Sequence, residues 1–319
     1  MTTIQTVTGP IDAVTVELAL PHEHVFVDLL GPEHPDFCRV NWSEVRAACV
    51  ERVGQLRAQG VDLLVDCTAL GIGRNVELLR DVSGATGVRI VCATGIYKGF
   101  VPVELREATP EQMAAVFVGE LTTGIDGTDA MAGVIKLATT ETGPTPRETE
   151  IHRAGAMAAA ETGGTIVLHS PRAEVTRVVL STLEAEGFDP VRLIWAHAQE
   201  STVQENLELA ARGVTISLDG ISDRGDAEMV ERIERLSEAD HGDRIVVSTD
   251  TSVWINPPEM AYERSIEHLL GTFLPLVEQR LGTDVRHRLV RDNVVRTLAR
   301  RPAATGSGRD AATPKSEEG

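Results

Sequence analysis

Residues 165–197 read TIVLHSPRAEVTRVVLSTLEAEGFDPVRLIWAH. An apolar run over 165–169 is followed by a helical pattern over 173–186 and a second apolar run over 192–197. Short strands joined by a crossover helix pair parallel, since an antiparallel pair needs only a tight turn. Parallel strands are buried on both faces, so they read as continuous apolar runs rather than as alternation. Both runs end on a histidine, His169 and His197.

The same unit recurs on either side. Upstream, strands are expected over 61–67, 89–95 and 132–137, with helices over 43–59, 75–84, 110–119 and 146–162. Ser43 is placed to cap the first helix and Gly60 to end it. Downstream, strands are expected over 213–219 and 244–250, with helices over 203–212, 227–239, 266–280 and 285–298. The first strand enters Leu20-Pro21-His22-Glu23-His24-Val25-Phe26-Val27-Asp28. Eight strands alternating with helices are the count of a (β/α)8 barrel. An open doubly wound sheet is the alternative, but no Gly-x-Gly-x-x-Gly follows the first strand to support its dinucleotide-binding form. Residues 3–18 alternate weakly around Gly9-Pro10, which predicts a short β-hairpin over one end of the domain. The barrel is expected over 1–300 and a disordered C-terminal tail over 301–319, where no apolar period survives.

Composition narrows the function. With 30 basic against 48 acidic residues the formal net charge is −18, which argues against nucleic acid or an anionic membrane as partner. The cysteines, Cys38, Cys49, Cys67 and Cys92, form no Cys-x-x-Cys pair, and Cys67 and Cys92 sit in apolar runs as small core residues. No secretory pattern opens the chain and no apolar run reaches ~18 residues. The expectation is a cytoplasmic protein with reduced thiols.

Position singles out the chemistry. Barrel active sites form at the C-terminal ends of the strands. Late in their runs stand His22 and His24, Lys136, His169, His197 and Asp250. His22 and His24 are two apart, so on a strand they face one side and can aim at one metal ion. Pro21 fits the end of regular ladder pairing. Each residue alone is an ordinary buried polar group, but six at one rim point to metal binding. Lys136 is a poor ligand as an ammonium, and burial beside cations favours the free amine. A free amine reacts with carbon dioxide to give an anionic carbamate whose two oxygens can bridge two cations. The alternative is a lysine paired with Asp250 in a site without metal.

Six segments resemble the amidohydrolase superfamily, in its phosphotriesterase-like branch. They are Pro21-His22-Glu23-His24, Ala93-Thr94-Gly95-Ile96-Tyr97, Gly133-Val134-Ile135-Lys136, Leu168-His169-Ser170, Ala196-His197 and Ser248-Thr249-Asp250, in family order. The resemblance implies one divalent metal on His22, His24, Asp250 and a carbamate on Lys136, and a second on that carbamate, His169 and His197. Zinc is the first expectation, with manganese, iron or cobalt open. It further implies a bridging hydroxide that attacks a lactone, ester or amide carbonyl of a small-molecule substrate, with Asp250 accepting the proton and a homodimer as the possible assembly. Phosphotriester hydrolysis and a noncatalytic metal-binding barrel are the alternatives. Tyr97 is either a hydrogen-bond donor to the substrate or a rim residue packed on its loop.

The chain departs from the resemblance around the centre. Where related lactonases resemble Leu-Asp-Arg, it has Leu218-Asp219-Gly220, with Arg224 four residues on. Lys98-Gly99-Phe100 replaces an aromatic run, and Ser248-Thr249-Asp250 stands for Ser-His-Asp. Glu200 is either a proton relay or a glutamate at a helix N-terminus. Lys98, Arg74 and Arg172 are loop cations that either meet a substrate carboxylate or lie at the surface.

Overall fold

The expected rhythm becomes one curled parallel sheet. A computed structural model describes residues 2–221, 224–261 and 264–299, so the expected tail over 301–319 lies outside the described residues. After an antiparallel hairpin of β1 (Thr3–Thr6) and β2 (Gly9–Asp12), nine strands follow among the described residues. They are β3 (Ala19–Asp28), β4 (Leu63–Asp66), β5 (Arg89–Thr94), β6 (Val134–Ala138), β7 (Thr165–His169), β8 (Leu193–Ala196), β9 (Thr215–Leu218), β10 (Ile245–Val247) and β11 (Ser252–Asn256). Strands β3 to β10 neighbour one another in chain order, and β11 lies on the other side of β3.

The expected eighth strand over 244–250 is corrected: it is broken. Its apolar part becomes β10, which pairs with β9 through Ile245↔Ile216, and past the expected range the chain resumes as β11, a strand not expected, which pairs with β3 through Ser252↔His24. Between them Asp250 has φ 53°, a left-handed conformation that cannot continue a ladder. The two strands close the sheet into a (β/α)8-type barrel.

Helices α1 (Trp42–Ala58), α2 (Val76–Thr86), α3 (Pro110–Thr122), α4 (Pro146–Thr162), α5 (Ala173–Ala185), α6 (Val203–Ala211) and α7 (Asp226–Glu238) cross between the strands. Thr109 with Gln112, Thr145 with Glu148 and Thr202 with Glu205 form reciprocal capping boxes that start α3, α4 and α6. Ser43 does not cap α1; Asn41 holds the cap position and Ser43 lies inside the first turn. The last helical stretch, 266–298, breaks at Gly282 as expected. It also contains a π-turn at Leu269–Phe273, just ahead of Pro275, which has no N–H to donate to an α-helical ladder.

Two apolar layers hold the barrel. One lies between strands and helices and includes Leu20, Leu64, Phe117 and Trp195. The other fills the barrel, with Ala19, Leu63, Val65, Val167 and Ile194. Ile4, Ala13 and Val16 join the inner layer with Val294 and Leu298, so the hairpin region does cover one end. The hairpin is shorter than expected, because Asp12 accepts the Val14 N–H and turns the chain into a 3-10 turn.

One irregularity in β3 decides what the barrel holds. Ala19 faces the inner layer opposite Leu63, and Leu20 faces outward opposite Leu64. Regular pairing would then set His22 opposite Asp66. Instead a β-bulge sets Glu23 opposite Asp66. The extra residue reverses the alternation, so His22 and His24 turn inward and Glu23 outward.

Candidate active site

All six residues singled out at the rim meet at one end of the barrel. Lys136 Nζ lies 2.7 Å from His22 Nε2. Asp250 Oδ1 lies 3.4 Å from His22 Nε2 and 3.2 Å from His24 Nε2. His197 Nε2 is 2.6 Å from His169 Nδ1 and 3.9 Å from Asp250 Oδ2. Lys136 is fully buried and faces His22, with no ion pair to Asp250 among the described contacts. His197, like Asp250, is left-handed, with φ 65° just past the end of β8. Two non-glycine residues in this sparse conformation, both in the cluster, are strain kept where the site requires it.

Partners outside the cluster aim the rings. Asp219, at the end of β9, takes His22 Nδ1 at 2.8 Å on one oxygen and His197 Nδ1 at 2.9 Å on the other. It also accepts the His197 N–H at 2.9 Å. Thr68 Oγ1 donates to the Phe26 carbonyl at 3.0 Å, so it accepts from His24 Nδ1 at 2.8 Å. With their Nδ1 hydrogens so placed, His22, His24 and His197 each turn an Nε2 lone pair inward. His169 presents Nδ1 inward and has its Nε2 3.4 Å from the Tyr97 hydroxyl. Asp219 was read from the sequence only as part of a departure at strand 7, although its place late in an apolar run is the same signal that marks the six.

The electrostatics favour ligand forms at His22, His169, Asp219 and Asp250 and oppose the neutral ring at His197. Burial, then Lys136, lowers the His22 pKa to about 4, keeping the ring neutral. Burial, then His197, holds His169 well below the ordinary histidine value. Burial opposes the protonated form of His197 as well, but Asp219 outweighs it and raises the pKa. Burial would protonate Asp219 and Asp250, yet the surrounding histidines hold both carboxyls well below the usual range. Arg264 Nη1 lies 2.6 Å from Asp250 Oδ2, a partner with no signal in the sequence. Four inward ring nitrogens and a carboxylate, beside a buried lysine, are a donor set that suits a divalent metal ion. His22, His24 and Asp250 form one geometrically suitable group. His22, His197 and Asp219 form another, but there the Asp219 oxygens already hold the rings in place.

A cavity of about 240 Å³ opens over the cluster. Val27, Leu29, Ile72 and Ile255 line one side, and Glu141, Glu200 and Arg264 are among the polar residues around it. Tyr97 lines it too, with Lys98 Nζ 5.4 Å from its ring centre. The other loop cations have different places. Arg74 is buried and paired with Glu120 at 2.6 Å, so it is structural rather than a substrate contact. Arg172 pairs with Glu174 at the surface. Arg224 pairs with Glu200 at 2.8 Å, tying up the residue considered as a relay. Cys67 and Cys92 are buried in the core, and no helix among the described residues is long and apolar enough to cross a membrane.

The model of the phosphotriesterase family matches residues 2–298. A phosphotriesterase homology protein of Mycobacterium tuberculosis is 30% identical over 94% of this chain and 98% of its own length. An aryldialkylphosphatase of Saccharolobus solfataricus is 29% identical, over 84% of this chain and 90% of its own. The crystal structure of a mutant PTE-like lactonase of Deinococcus radiodurans superposes with a TM-score of 0.78 at 29% identity, covering 93% of this chain and 100% of that one.

Proposed function

The chain belongs to the phosphotriesterase family of hydrolases, and from that premise we propose that it adds water to a lactone, ester or amide carbonyl at a two-metal centre. One observation carries the reading: inward lone pairs from four histidines, three of them fixed from outside, gather at the barrel end where fully buried Lys136 meets His22. In this reading His22, His24 and Asp250 would hold one divalent ion and His169 and His197 the other. Carbon dioxide added to Lys136 would supply an anionic ligand for both. The amine lone pair forms the N–C bond, one C=O pair moves onto oxygen, and the lost proton leaves to solvent. When bound, the ions supply Lewis acidity and lower the pKa of water to near neutral. Zinc is the first choice, with manganese, iron and cobalt as alternatives.

The chain's own groups do the rest. Asp250 takes the proton of the attacking water, and Arg264 on its outer oxygen stabilises the carboxylate to which it returns. Tyr97, which packs on the apolar side with Val27 and Ile72, donates a hydrogen bond to the substrate oxygen. That side receives an apolar substituent of the substrate. The S. solfataricus aryldialkylphosphatase supports a second reading, phosphotriester hydrolysis at the same centre. A noncatalytic metal site fits less well, because structural metal sites are closed and an open cavity lies over this one.

The test is metal content per chain in protein prepared with bicarbonate, beside Lys136→Ala. About two ions in the wild type and a sharp loss in the variant are expected; equal metal in both proteins would refute the shared carbamate. Proton release from a panel of lactones, N-acyl amides and phosphotriesters then ranks the substrates. Turnover of the phosphotriester alone would reverse the order proposed.

A further inference from the structure

We propose that Glu23 is a positioning residue that holds the break in the eighth strand and thereby sets Asp250 in the site. The proposal rests on the hydrolase reading, in which Asp250 is a metal ligand.

A broken strand leaves backbone N–H groups without ladder partners, and buried ones must be satisfied elsewhere. At this break three in succession find partners on β3. The Thr249 N–H donates to Glu23 Oε1 at 2.9 Å, and the Thr251 N–H to Glu23 Oε2 at 2.6 Å. Between them the Asp250 N–H donates to the His22 carbonyl at 3.0 Å. One carboxylate thus grips the peptides on both sides of the left-handed Asp250. The Thr249 hydroxyl lies 3.0 and 2.9 Å from the two Glu23 oxygens. The Ser248 hydroxyl donates to Oε1 at 2.7 Å and accepts the His22 N–H at 3.1 Å. Segments more than two hundred residues apart, each bearing a ligand, are fixed by one fully buried side chain.

The bulge in β3 makes this possible. The residue that reverses the alternation turns His22 and His24 inward and, by the same step, turns Glu23 outward toward the break. Glu23 touches none of the reacting groups; it acts through the backbone that carries Asp250. A glutamine there keeps the shape but replaces one acceptor oxygen with an NH2, which faces N–H and O–H donors and cannot satisfy them.

The experiment uses the metal-loaded full chain as wild type, Glu23→Gln and Ser248→Ala. Retention of each ion against a chelator, kcat and KM, and the melting temperature of chelator-stripped protein are measured. Glu23→Gln is expected to release one of the two ions about 10–100-fold more readily, and to lower kcat with KM nearly constant. Ser248→Ala moves the same ion by less. Equal weakening of both ions, tracking a lower melting temperature of the stripped protein, would reduce Glu23 to general structural support and overturn the proposal. So would unchanged retention in either variant. If Glu23→Gln fails to fold, Ser248→Ala decides by the same criteria. A wild-type chain that binds no divalent ion overturns the hydrolase reading together with this proposal. Two bound ions and unaltered variants overturn this proposal alone.

Discussion

The inward faces of the same strands build two unlike halves of the barrel. One is a dry layer of small and branched side chains, including Leu63, Val65, Val167 and Ile194, that complement one another by shape. The other, at the strand ends, holds His22, His24, Lys136, His197 and Asp219, all buried and all polar. The first half is stabilised by removal of apolar surface from water. The second spends stability on burying charge, and its order comes from specific partners. Damage to the dry half should therefore appear as lost folding. Damage to the wet half should appear as lost chemistry in a chain that still folds.

The largest separation comes from Ile194→Ala. Truncating a fully buried isoleucine in the inner layer should cost about 2–5 kcal/mol of unfolding free energy in denaturant melts. The folded fraction should retain its metal, and selective metal loss would show the halves are not independent. Asp219→Asn comes next. An amide has one acceptor oxygen for three donors, from His22 Nδ1, His197 Nδ1 and the His197 N–H. Metal retention or activity should fall about 10–100-fold, with little change in melting temperature. Tyr97→Phe should lower kcat about tenfold at unchanged metal content if its hydroxyl meets the substrate, as one hydrogen bond is worth ~1 kcal/mol or somewhat more. An unaltered kcat would leave Tyr97 as a rim residue packed on its loop.

The smallest effect tests the layer behind Lys136. His152 on α4 is buried, with its Nε2 3.0 Å from the Ala138 carbonyl at the end of β6 and its Nδ1 without a partner. Burial lowers its pKa from 6.5 against the opposing effects of the Ala138 carbonyl and Glu148. Above pH 6.5 neither the folded nor the unfolded chain protonates this residue. Below it the unfolded chain binds a proton that the folded one resists, so stability falls as pH falls. Between pH 7.5 and 5.5 the wild type should lose more stability than His152→Gln. Parallel pH profiles would show that His152 carries no such linkage.

Much of the site was legible because barrel strands advertise their ends. An apolar run that closes on His169 or His197 names both the strand and the inward rim, and Asp219 obeys the same rule. Other features had no local signature. Arg74 lies in a loop like any surface cation, yet it pairs with buried Glu120. Arg264 reaches Asp250 from a loop fourteen residues on. The reading of 244–250 as one strand followed its apolar composition, which says nothing about where its pairing with β9 stops or that 252–256 will pair with β3.

By itself, then, the sequence determined the parallel strands, the crossover helices and the residue types gathered at one rim, since these follow from apolar period and from position within each run. Tertiary structure alone decided the bulge at Leu20–Glu23, the break around Asp250, and the partners that turn each ring nitrogen inward. Those depend on register between segments far apart in the chain, where a one-residue shift moves a side chain from one face of the sheet to the other.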